Sequence, residues 1–139
     1  MRFIAFFPEC NVPGTPNGIR LLLHPEGLRP FIENWEDLAV RLIQRIHREA
    51  AANPSDDLMK ALLAECLAYP GLPSRWLVPN LEKPPEPFLT IDYRRDDLKI
   101  RLFSSIATFG TAQDLTLHGL RIESFFPADD ATRAIFTAP

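Results

Sequence analysis

The chain has 139 residues, 46% of them hydrophobic and 24% charged, with a net charge of −3. That length suits one domain whose core needs no staples, and the acidic balance without any Lys/Arg run argues against a nucleic-acid-binding face. The clustered bases Arg94 and Arg95 sit among Asp92, Asp96 and Asp97.

No apolar run approaches the roughly 18–20 residues of a membrane-spanning helix. Met1 to Phe7 is apolar but too short for a signal peptide, and Pro8-Glu9 follows without a small-residue cleavage site. The expected location is therefore the cytoplasm. Cys10 and Cys66 lie far apart without CxxC spacing and fit free thiols in a reducing compartment. His24, His47 and His118 are isolated from each other and from the cysteines, so no zinc pattern exists.

In chain order, residues 8–18 (PECNVPGTPNG) form a turn-rich connector, because three prolines and two glycines oppose a regular helix. Ile19 to Leu23 reads as a strand or one helical turn, ended by His24-Pro25-Glu26-Gly27. Pro30 interrupts residues 28–32. The spacing predicts a long helix over 35–52, with Asn34 as N-cap, Asp37 at the capping-box position and Asn53-Pro54 as stop. Its apolar stripe is Leu38, Ala39, Leu42, Ile43, Ile46 and Ala50. A second helix is predicted over 57–67, capped by Ser55 or Asp56, with Leu58, Met59, Leu62, Leu63, Cys66 and Leu67 on its buried face. Residues 72–76 suit a short helical turn.

Pro79 to Pro87 holds four prolines and reads as a semi-rigid loop. Three strands are expected after it. The first covers about 88–94, with Leu89, Ile91 and Tyr93 on one face. Arg95-Asp96-Asp97 is turn-like, so the second strand, about 98–108, pairs with it as a hairpin and turns Ile100, Leu102 and Ile106 to one face. The third covers about 117–125, with Leu120 and Ile122 inward. Asp129-Asp130 caps a short final helix over 131–136 better than it holds a metal. Helices followed by an antiparallel meander give an α+β fold with helices packed on one face of the sheet.

Catalytic chemistry has little footing. No histidine has an orienting carboxylate beside it in a motif, Ser104-Ser105 lacks the G-x-S-x-G elbow, and Phe109-Gly110-Thr111 is not a phosphate loop. The expectation is a protein that is not an enzyme and has no cofactor. Ten phenylalanines serve a packed core or an aromatic-lined cavity for an apolar ligand, and the residues alone do not separate the two.

Two segments carry a resemblance. FSSIATFGTAQDLTLHGLRIESFFPADDAT, from Phe103, resembles the C-terminal signature of the MmyB-like ligand-binding domain found in XRE-type bacterial transcription regulators. NGIRLLLHPEGLRPFIENWEDLAVRLIQRIHREA, from Asn17, resembles the same family's His-Pro-x-Gly-Leu and Asn-Trp helix opening. Together with the intervening helix and Pro-rich loop they cover roughly Asn17 to Phe136. The resemblance implies one PAS-like domain over 1–139, sensing a small apolar molecule such as a fatty acid in a pocket between sheet and helices. From the inward faces above, the pocket candidates are Leu38, Leu42 and Ile46 on the first long helix. Leu89, Ile91, Ile100, Leu102, Ile106, Leu120 and Ile122 are the candidates on the strands.

Measured against the family pattern, no helix-turn-helix and no first pair of PAS strands precede these segments, so the expectation is an N-terminally truncated domain. A sheet short of strands exposes an edge. Met1 to Phe7 as a replacement strand, a homodimer through the sheet, or a partner regulator chain would cover it. The competing expectation is a protein–protein interaction module without ligand.

Overall fold

The computed structural model describes residues 12, 17–79, 89–108 and 121–137, with backbone alone at 106–108, 121 and 122. The chain divides into two compact units, Met1–Pro85 and Glu86–Pro139. Among the described residues the first is helical and the second holds a three-stranded antiparallel sheet and one helix. This is an α+β fold.

The helical unit opens with α1 (Gly18–Leu23), so the apolar run after Gly18 is helical rather than a strand. The cause lies in Asn17, whose side-chain oxygen accepts from the N–H groups of Ile19 (2.9 Å) and Arg20 (3.2 Å). The His-Pro-x-Gly-Leu run then folds into a turn. His24 Nδ1 accepts from the Glu26 N–H, the Gly27 N–H donates to the His24 carbonyl, and the Leu28 N–H reaches back to Leu21 O. A Cβ at Gly27 would collide with that Leu21 carbonyl, so the turn needs glycine there. A 3₁₀ turn at Arg29–Phe31 carries Pro30, and α2 follows at Trp35–Ala52. Asn34 occupies its N-cap position, but its side chain makes no capping bond.

Of the predicted α2 stripe, Leu38, Ala39, Leu42, Ile43 and Ile46 are buried and Ala50, near the helix end, is half-buried. Helix α3 (Asp57–Leu67) packs against it and contributes Leu62 and Cys66. Asp56 is its cap, accepting from the Met59 N–H at 2.9 Å. Leu58 departs from expectation and is 85% exposed. It lies in the first turn of α3, four residues before Leu62, where no element among the described residues covers it. A second 3₁₀ turn, Ser74–Trp76, places Trp76 in the core.

In the second unit, β1 (Leu89–Arg95) and β2 (Leu98–Thr108) form the expected hairpin, with Arg95 opposite Leu98. Asp96 in the two-residue connection has φ of +52°, a left-handed conformation that Asp tolerates better than most residues. Strand β3 (Arg121–Pro127) pairs with β2. The segment before it that was expected to start this strand lies outside the described residues. Helix α4 (Asp130–Thr137) then packs back on β2 and β3.

Opposed residues of an antiparallel ladder share a face. Ile91 pairs with Leu102 and Tyr93 with Ile100, and all four are buried. On the other face Asp92 receives Arg101 Nε at 2.9 Å, and Phe103 stacks on Phe126 with centroids 5.3 Å apart. Where β3 ends, α4 completes β2: the Ala128 N–H donates to Arg101 O, and the Arg101 N–H donates to the Thr132 hydroxyl at 2.9 Å. Thr132 is 1% exposed and is held in place by Asp129, which accepts from the Thr132 N–H at 2.7 Å. That backbone bond and then one from the Thr132 side chain hold the Asp129 carboxyl below its usual range.

Candidate functional site

The apolar candidates fall into two sets, one in each unit. Leu38, Leu42 and Ile46 lie in line on α2 at i, i+4, i+8 and form part of the helical core. Ile91, Ile100 and Leu102 are buried together on one face of the β1–β2 hairpin, and Leu89 is half-buried beside Ser104 on that face. Ile106 stands opposite Glu123 in the register, and Ile122 opposite Ala107. By ladder position Ile122 therefore shares the parity of Phe103 and Ser105, while Ile106 shares that of Leu102 and Ser104. Leu120 lies outside the described residues.

Polar chemistry concentrates in the helical unit. Arg20 of α1 and Glu65 of α3 form a forked pair, Arg20 Nε donating to both carboxylate oxygens at 2.9 Å and Nη2 donating to Oε2 at 2.8 Å. The Tyr69 hydroxyl adds a third donor at 2.6 Å. The bonds from Arg20 and then Tyr69 hold the Glu65 carboxyl low, and the same pair raises the Arg20 guanidinium. His24 meets Tyr69 edge-on, with ring centroids 5.1 Å apart. Burial, and then its bond to Glu65, pushes the Tyr69 hydroxyl well above its ordinary value. A carboxylate that is already saturated and a phenol that stays protonated join α1 to α3; they are not an acid–base pair.

A second polar group lies at the start of α2. The Trp35 indole donates to Leu22 O at 3.1 Å, which fixes the ring. The Arg29 guanidinium lies 3.8 Å over its face, and Arg29 Nη1 donates to Pro70 O at 2.6 Å. Gly71, with φ of +78°, lets the guanidinium approach: a Cβ there would lie 2.6 Å from Arg29 Nη2. Desolvation lowers the Arg29 pKa from its ordinary value. Trp76 meets Trp35 with centroids 6.1 Å apart, and Arg75 lies 6.0 Å from the Trp76 ring.

His47 is half-buried on α2 and bonded at the Trp76 backbone, and its Nε2 is buried without a hydrogen-bond partner among the described residues. Burial depresses its pKa, and the bond to Trp76 offsets part of that. Gln44 Nε2 donates to Val78 O at 3.1 Å, so two polar side chains of α2 hold residues 76–78. His118 lies outside the described residues.

Cys66 is a free, buried thiol pushed up to about 12 by burial. It stays protonated and serves as a small core residue. Among the described residues no three His, Cys, Asp or Glu side chains gather where they could hold a metal ion, and no helix is long and apolar enough to cross a membrane.

The model of the family described as MmyB-like transcription regulator ligand binding domain matches residues 3–138. No curated protein and no solved structure matches the chain.

Proposed function

The chain belongs to the MmyB-like transcription regulator ligand-binding domain family, and on that premise we propose that it is the sensing part of an XRE-type bacterial regulator with an apolar, fatty-acid-like ligand. The family is one of regulator ligand-binding domains, not of enzymes. The observation that carries the reading is the match itself, which spans both units of the chain.

In this reading the chain is a PAS-like sensing domain in the cytoplasm. Apolar residues gathered within each unit support an apolar ligand: Leu38, Leu42 and Ile46 on α2, and Ile91, Ile100 and Leu102 on the hairpin. The ligand acts by binding one arrangement of the domain better than another, and only that difference in affinity can be passed to a DNA reader. Titration calorimetry with straight-chain acids and alcohols of increasing length tests the proposal. Affinity should rise with each added methylene by up to about 0.8 kcal/mol until the pocket is filled. Equal, negligible heats across the series would refute it.

One observation favours association as well. Phe125 and Phe126 on β3 are 49% and 45% exposed on a strand that pairs, among the described residues, only through its β2 side. Homodimerisation through that edge would cover them. Sedimentation of Phe126→Arg beside the unaltered chain should show a dimer weakened by the substitution, and a monomer in both cases would contradict it.

A further inference from the structure

We draw no further inference here: the strongest candidate, the sheet face on which the exposed Phe126 stacks on Phe103 beside the Asp92–Arg101 pair, borders the edge already proposed for association, and nothing in the structure shows what covers it.

Discussion

The two units of the chain are held by different means. In the helical unit, side chains from segments far apart in sequence converge: Leu22 and Leu23 of α1, Leu38, Ile43 and Ile46 of α2, Cys66 of α3 and Trp76 meet in one core. Polar side chains then hold that core from outside, as Arg20–Glu65 and Trp35–Leu22 do. In the sheet unit the backbone ladder sets the register, and its closure depends on one buried hydroxyl, Thr132, on the Arg101 amide. The first unit should therefore be sensitive to lost volume and the second to a lost hydrogen bond.

Removing volume from the helical core should have the largest effect. Ile43 is fully buried, and Ile43→Ala should cost about 2–5 kcal/mol through lost transfer energy and the cavity left behind. Urea unfolding measures this, and a loss under about 1 kcal/mol would mean that the core is loosely packed.

The sheet offers the matching experiment. Thr132→Val keeps the shape and removes the acceptor, leaving the part-buried Arg101 N–H without it. It should cost about 1–3 kcal/mol. Hydrogen exchange at the Arg101 amide should quicken, and Thr132→Ser should restore most of its protection. If Thr132→Val leaves that exchange unchanged, the hydroxyl does not close the sheet.

Helix capping comes next. Asp56→Ala removes the acceptor for the Met59 N–H and should cost about 1 kcal/mol, and Asp56→Ser should recover most of it. By contrast, Asn34→Ala should not show a capping loss, because the Asn34 side chain makes no capping bond to α2.

The smallest effect is a pH dependence confined to the helical unit. Burial holds His47 below the 6.5 at which a free imidazole titrates. The unfolded chain then binds more protons across that window. The stability that His47 contributes is present in full above about 6.5 and is lost as pH falls through the depressed folded value. Urea midpoints between pH 7.5 and 5 should fall for the unaltered chain and fall less for His47→Gln. Parallel curves would assign the pH dependence to other groups.

Local rules made much of this fold legible. The ends of α3 and its Asp56 cap follow from a capping residue set before an apolar run at 3–4 spacing. The β1–β2 hairpin follows from alternation broken by Asp96-Asp97, and α4 from the acidic pair after Pro127. Helix α1 was within reach too, since Asn17 is a strong cap, but the prolines and glycines before it pointed to a connector. Leu58 was misplaced because helical spacing gives a residue's face and not whether a neighbour covers it. The Arg29–Trp35–Pro70 and Arg101–Thr132 contacts were not legible. They join residues up to 41 positions apart, and only the tertiary fold brings them together.

The central claim, a domain that holds a small apolar molecule, is tested most directly by native mass spectrometry of the purified chain. The account predicts an added mass of roughly a few hundred daltons, within the size such pockets enclose, that is either carried from the cell or taken up on mixing with decanoate. A bare species that stays bare after mixing would contradict it.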